Sequence, residues 1–306
     1  MNHLAEVLLP VALLIAAGFF MRRYHFPGSD TQTSDAFWKG AENLNYSFLF
    51  PALLFVSLAS APLNGSNIGT LYYAAASSLG LGFILLVLAR FIRHWPAARF
   101  GVYLQGILRF NTYIGLAVAG AIYANEGLQT AAIVLSVLVP VVNVMSVWAL
   151  LSDGETHPLA LLKPLAKNPL ILACLAGLAL NFSGFGLWPG IQRLLELLAH
   201  ASLPLGLLTV GAALNIKAMR HEITPLLSNS LLRLLAMPML AFAVARVFNL
   251  PTLETFVLVL FFSLPTAPTS FVLTRKLNGE AELMAGVITL QTILSALTLT
   301  VVLAVL

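Results

Sequence analysis

Apolar residues run along this chain in blocks of about 20, each closed by a charged residue, a proline or a glycine-bearing break. A helix needs about that many residues to cross roughly 30 Å of hydrocarbon at about 1.5 Å rise per residue. Ten such blocks follow one another, which predicts helices at roughly 4–21, 36–60, 69–92, 98–124, 128–151, 167–184, 190–214, 223–247, 252–276 and 282–306. The expectation is an all-α membrane protein whose solvent is lipid.

Composition agrees with the pattern: 59% of the residues are hydrophobic and only 9% are charged. Glu6 precedes the first apolar run and Arg22-Arg23 follow it, the reverse of a signal peptide, so the first block reads as an uncleaved helix. The single cysteine, Cys174, lies inside a span and offers neither a disulfide framework nor a cysteine metal site. A net charge of +4 would suggest nucleic acid for a soluble chain; here it follows the short connections, so the bilayer is the expected partner and nucleic acid is not. Of the six histidines, none stands at metal-ligand spacing, and His25, His94, His157 and His221 fall between spans. With no Walker motif and no nucleophile elbow, the chain is not expected to be an enzyme or to hold a cofactor beyond a coupling proton or sodium ion.

Positive charge alternates between connections. Arg22, Arg23 and Lys39 flank the first; Arg90, Arg93 and Arg99 the third; Lys163 and Lys167 the fifth; Lys217 and Arg220 the seventh; Arg275 and Lys276 the ninth. The even connections and the termini hold only Arg193 and Arg246, which predicts cytoplasmic odd connections and periplasmic termini. The stretch "YSFLFPALLFVSLAS" in the second block resembles "AHASLPLGLLTVGAA" in the seventh, with Pro51 over Pro204 at an offset of about 153 residues. The same offset lays the fourth block on the ninth. Two five-helix halves follow, 1–151 and 167–306, joined by a short cytoplasmic linker at 152–166. Because five is odd, the second half is inverted, an architecture typical of transporters with a site at the membrane midplane.

The ninth block, "LETFVLVLFFSLPTAPTSFVLTRKL", carries Pro265 and Pro268 near its middle. Each proline lacks an N–H, so the carbonyls of Phe261 and Leu264 lose their helical partners. Thr266, Thr269 and Ser270 stand beside them as expected donors. The fourth block has its centre at Asn111-Thr112 and no proline; Asn111 can bond the backbone there or serve as glue between helices. Arg109 is close to that centre. It either faces a watery cavity, where an anionic substrate would meet it, or snorkels to the cytoplasmic surface. Arg233, inside the eighth block, poses the same choice, with snorkelling or a structural ion pair favoured. Lys39 with Glu42 and Arg193 with Glu196 are spaced to pair locally, as interfacial ion pairs or, alternatively, as symmetric gates or proton-coupling carboxylates. Asn43, Asn45 and Tyr46, then Asn143 and Ser146, then Gln291 and Thr292, are further candidates to line a cavity or bond across helices.

Taken in order, "LLPVALLIAAGFFMRR", "FLFPALLFVSLA", "RFNTYIGLA", "VLVPVVNVMSV", "KNPLILACLAGLALN", "LPLGLLTVGAAL" and "LLRLLAMPML" resemble the prokaryotic branch of the auxin efflux carrier family across essentially the whole chain. The resemblance implies kinship of fold with bile-acid/sodium symporter-type and sodium/proton antiporter-type carriers. It implies a scaffold of spans 1, 2, 6 and 7, through which a homodimer would form, and a transport domain of spans 3–5 and 8–10 in which broken spans 4 and 9 cross. It also implies carriage of small organic anions, mono- or dicarboxylates, by an elevator or rocking motion in a bacterial inner membrane. Asn111 and Thr112 fall on the first crossover, Pro265 and Pro268 on the second. The departure is at Ala117-Val118, where many relatives carry a proline.

Two other functions are open at this stage. A sodium/proton antiporter-like carrier of cations would want carboxylates at span centres, and none of the twelve acidic residues lies there. A membrane receptor without flux would want a soluble domain to pass on its signal, and the connections are too short for one.

Overall fold

The computed structural model describes residues 2–61, 68–153, 167–220 and 222–305, which are helices and their connections with no strand among them. Most of the linker at 152–166, with His157 and Lys163, lies outside the described residues, as does His221.

Helix α1 (Asn2–Arg23) ends on Arg22 and Arg23, cations at the negative end of its dipole. Helix α2 (Thr31–Leu44) starts where Asp30 accepts from the Thr33 amide at 2.8 Å, a cap that holds the Asp30 carboxyl below its ordinary range. A π turn (Asn45–Leu49) joins α2 to α3 (Phe50–Ala59), just ahead of Pro51, whose missing N–H breaks the regular ladder. Helix α4 (Ile68–Arg93) follows, then α5 (Ala97–Leu108) and α6 (Thr112–Leu151). Helix α6 folds back at Tyr123-Ala124, where Ala124 has φ 46° and Gly127 meets the Ala119 carbonyl too closely to admit a Cβ.

The "KNPLI" segment is a helix start: the Asn168 side chain accepts from the Leu170 and Ile171 amides, and Pro169 opens α7 (Pro169–Ser183). Next come α8 (Pro189–Ala213), a 3₁₀ turn (Ile216–Arg220), and α9 (Ile223–Leu231). A second π turn (Leu232–Ala236) leads, again just ahead of a proline, into α10 (Met237–Val247). The remaining helices are α11 (Thr252–Ser263), α12 (Thr269–Lys276) and α13 (Ala281–Val305).

Among the described residues five stretches are long and apolar enough to cross a membrane: Ile68–Arg93, Ala97–Leu151, Pro189–Ala213, Ile223–Val247 and Ala281–Val305. The burial pattern fits lipid as solvent. Phe91, Phe182, Phe185, Trp188 and Leu297 are exposed, while Asn45, Gln105, Asn111, Asn229, Arg233 and Gln291 are buried. This is an all-α membrane protein.

Helix α3 packs on α7 and α8, α5 on α6, and α11 on α6 and α10. Helices α1 and α8 approach through two glycines: a Cβ at Gly18 would fall 1.9 Å from the Leu208 carbonyl oxygen, and one at Gly211 would fall 1.8 Å from that of Ile15. Gly211→Val is therefore expected to force the backbones apart at a cost of about 1–3 kcal/mol. Thermal unfolding in detergent reads this, with Gly40→Ala as the control, since nothing lies within 4 Å of a Cβ there.

Candidate functional site at the helix crossing

Two helices stop in the interior. Helix α5 ends at Leu108, Arg109 is extended (φ −75°, ψ 155°), and α6 begins after Asn111. Helix α11 ends at Ser263, Leu264 is extended (φ −72°, ψ 150°), and α12 begins at Thr269. The two breaks touch, since the Asn111 amide donates to the Pro265 carbonyl at 2.8 Å.

Each break leaves carbonyls that must be satisfied without water. Asn111 gives its N–H to Pro265, so the Ile107 carbonyl four residues back is freed. The prolines free Phe261 and Leu264. All three are taken by Arg233, which stands in the π turn between α9 and α10. Its Nη1 donates to Ile107 at 2.8 Å, its Nη2 to Phe261 at 2.7 Å and its Nε to Leu264 at 2.6 Å. The expected snorkelling or ion pair is thus corrected: Arg233 is 0% exposed and its partners are backbone carbonyls.

The hydroxyls expected to serve Phe261 and Leu264 bond elsewhere. Thr266 Oγ1 donates to the Gln105 carbonyl at 2.9 Å and shares a contact with Ser270 Oγ at 3.3 Å, and Thr269 Oγ1 accepts from Arg109. A single hydroxyl reaches one carbonyl, whereas the guanidinium fork spans three. Gln291 closes the crossing from α13: its Nε2 donates to the Gly106 carbonyl and to Asn229 Oδ1, and its Oε1 accepts from the Thr266 amide at 2.8 Å.

In front of the crossing lies a small cavity of about 50 Å³. Arg109, Asn111, Thr112 and Tyr113 line it from the first break, and Ala267, Pro268 and Thr269 from the second. Glu42, Tyr46 and Phe50 face it from the α2–α3 side, joined by Asn143 of α6 and Thr209 of α8. Arg109 turns inward here: Nη2 donates to Thr269 Oγ1 at 3.2 Å and Nη1 to Gln105 Oε1 at 3.4 Å. Asn111 Oδ1 caps α6, accepting from the Tyr113 and Ile114 amides, while its buried Nδ2 has no hydrogen-bond partner among the described residues. The cavity therefore receives the N-termini of α6 and α12 and a guanidinium, with Asn111, whose Nδ2 is buried without a partner, in its wall. All of these favour negative charge.

Other expected site residues lie apart from this cavity. Pro265, Thr266 and Ser270 build the crossing behind it, as do Arg233 and Gln291. Asn43 is exposed on the outer side of α2, because the neighbouring Asn45 takes the inward position and pairs with Ser202. Glu196 is bonded to Gln192 at 3.0 Å and to Arg193 at 3.5 Å, away from the cavity. Lys39 and Glu42 do not repeat that pair: Glu42 has no ion-pair partner among the described residues and faces the cavity instead. Gln105, Asn229, Tyr113 and Thr209 escape the reading of the sequence. The amides of Gln105 and Asn229, polar groups inside apolar blocks, carry the same signal as Asn111.

A wider vestibule of about 670 Å³ shares Glu42, Thr209 and Pro268 with the cavity. Arg22, Lys39, Arg275 and Lys276 line it together with Asp35, which Arg22 engages at 2.9 Å.

The sequence model of a family described as "Membrane transport protein" matches residues 156–303, and an uncharacterized transporter of Methanothermobacter thermautotrophicus is 26% identical over 298 residues, 96% of this chain and 95% of that protein. Over these stretches the chain is similar to members of this membrane transport family. It is the auxin efflux carrier-type family that the motifs resemble. A second uncharacterized transporter of the same kind, from Methanocaldococcus jannaschii, is 27% identical over 64% of this chain and 65% of its own length. A Rhizobium meliloti protein provisionally named a malonate transporter is 29% identical over 46% of this chain and 45% of its own.

Proposed function

We propose that this protein is a secondary carrier of small organic anions, mono- or dicarboxylates, working by alternating access. One observation carries the reading: Arg109, Asn111 and the N-termini of α6 and α12 meet at one cavity in which Glu42 is the only carboxylate among the described lining residues. The substrate carboxylate sits at those donors, between the crossing and the α2–α3 and α8 faces. The name of the Rhizobium meliloti relative, malonate transporter, agrees in chemistry.

In this reading the ten helices form two inverted five-helix repeats, 1–151 and 167–306. A scaffold built on α1–α3, α7 and α8 stays still while α4–α6 and α9–α13 move. Support comes from the meeting of the two breaks and from the packing of α3 against α7 and α8. The vestibule, rimmed by Arg22, Lys39, Arg275 and Lys276, is then the cytoplasmic entrance, and its cations raise the local concentration of anions. The location that follows is a cytoplasmic membrane with both termini on the outer side. A cation carrier gains little support, since the lining offers one carboxylate against a guanidinium and two helix N-termini.

Carboxylate-dependent thermal stabilisation of the purified protein, followed by uptake of the stabilising compound into proteoliposomes, tests this; stabilisation without uptake would favour a receptor. Asn111→Asp gives a sharper check. The aspartate keeps the acceptor that caps α6 but sets a negative charge where Nδ2 now stands, so the fold is expected to survive. Carboxylate affinity is expected to fall by roughly tenfold or more, the loss of one hydrogen bond to a charged group at about 1.5–3 kcal/mol.

A further inference from the structure

In carriers built from crossed, broken helices, unwound carbonyls and half-helix C-termini are the groups that coordinate a coupling cation. This chain has those groups. The α5 and α11 C-termini end at the crossing, and the carbonyls of Ile107, Phe261 and Leu264 have lost their helical donors. None of the three is open to a mobile ion, because each holds one nitrogen of Arg233 at 2.6–2.8 Å. The guanidinium is fully buried and its hydrogen bonds run to carbonyls alone, from two elements far apart in sequence. A buried cation without an anion needs partial negative charge around it, and two helix C-termini supply it.

We propose that Arg233 is a tethered replacement for the coupling cation: its guanidinium fills the carbonyl cage of the crossing, so this carrier takes no sodium there. The fixed charge cancels the two C-terminal dipoles. The N-termini of α6 and α12 and Arg109 then dominate the cavity. This goes beyond the identity of the transported anion and can be tested without one. Removing the side chain is expected to leave a cage of three carbonyls that accepts a small monovalent cation from solution.

The test is thermal unfolding of the purified protein in detergent, in sodium, potassium, choline and guanidinium chlorides at matched ionic strength, with guanidinium far below denaturing concentration. Wild type is expected to melt at the same temperature in sodium as in choline. Arg233→Ala is expected to melt lower and to be raised, saturably, by guanidinium or sodium but not by choline or an equal concentration of urea. A saturable response of this kind separates a vacated cation site from simple loss of packing, which no salt would restore. Sodium-specific stabilisation of wild type overturns the proposal, as does an Arg233→Ala protein indifferent to every cation. Where Arg233→Ala does not fold, the wild-type series decides alone, together with equilibrium binding of radioactive sodium: bound sodium overturns the proposal and its absence supports it. Because no carboxylate enters these measurements, their failure is distinct from failure of the anion reading.

Discussion

Arg233→Met is expected to be severely destabilised, melting far below wild type in every salt. Methionine fills a similar volume in the apolar interior, so the loss is not one of packing. What goes is the donor set of three buried carbonyls: Ile107, Phe261 and Leu264 would each face a thioether. An unsatisfied buried backbone group costs about 1–3 kcal/mol, so three cost roughly 3–9 kcal/mol, comparable with the entire net stability of a typical domain. Size-exclusion profiles and melting curves of the detergent-solubilised protein check this. Arg233→Lys is the informative companion. It keeps the charge, but its three donors radiate from one nitrogen and cannot span carbonyls on two separate breaks, so it is expected to melt well below wild type. A methionine variant as stable as wild type would mean that the crossing closes without this residue.

Arg233 also shows where sequence reasoning stops. The two prolines name the carbonyls they orphan by a local rule, four residues back, and Phe261 and Leu264 are the ones found without helical partners. Their donor comes from a helix some thirty positions earlier and cannot be found by any local rule. Neighbouring hydroxyls were the expected donors, and they bond across the crossing instead. Asn111 is the complementary case. Its cap and its break are local and readable, because an amide at the centre of an apolar block has to bond the backbone. The partner of its N–H, the Pro265 carbonyl, is a tertiary fact. Helix bounds were legible for the same reason as the cap, since lipid imposes a length on each apolar block. Asn43 and Asn45 mark the finest limit: two residues around a helix separate the exposed side from the core, and composition cannot say which is which.

Arg109→Gln is expected to cut carboxylate uptake into proteoliposomes by roughly 10- to 100-fold while leaving the protein folded, the loss of a charged donor at about 1.5–3 kcal/mol. The contrast with Arg233 follows from what each guanidinium holds. Arg233 satisfies backbone groups that have no alternative. Arg109 makes two side-chain contacts, at 3.2 Å to Thr269 and 3.4 Å to Gln105, and both of those partners have a second hydrogen-bonding capacity or a neighbour to turn to. Its charge is not committed to the protein. It lies on the cavity with Asn111 and the α6 N-terminus, where a ligand anion completes the set. A neutral amide of similar reach keeps the steric fill and one donor, so melting in the absence of ligand is expected to change little, and the stabilisation added by carboxylate is expected to shrink. Arg109→Lys should retain part of the uptake, as a point charge without the fork. Wild-type uptake by Arg109→Gln would remove this arginine from the site and leave the helix N-termini and Asn111 as the anion's only partners. A loss of melting temperature matching that of the Arg233 variants would instead make Arg109 a second structural cation. The two arginines serve the same broken backbone in different ways, and the difference between losing transport and losing the fold is what separates a substrate contact from a built-in counter-charge.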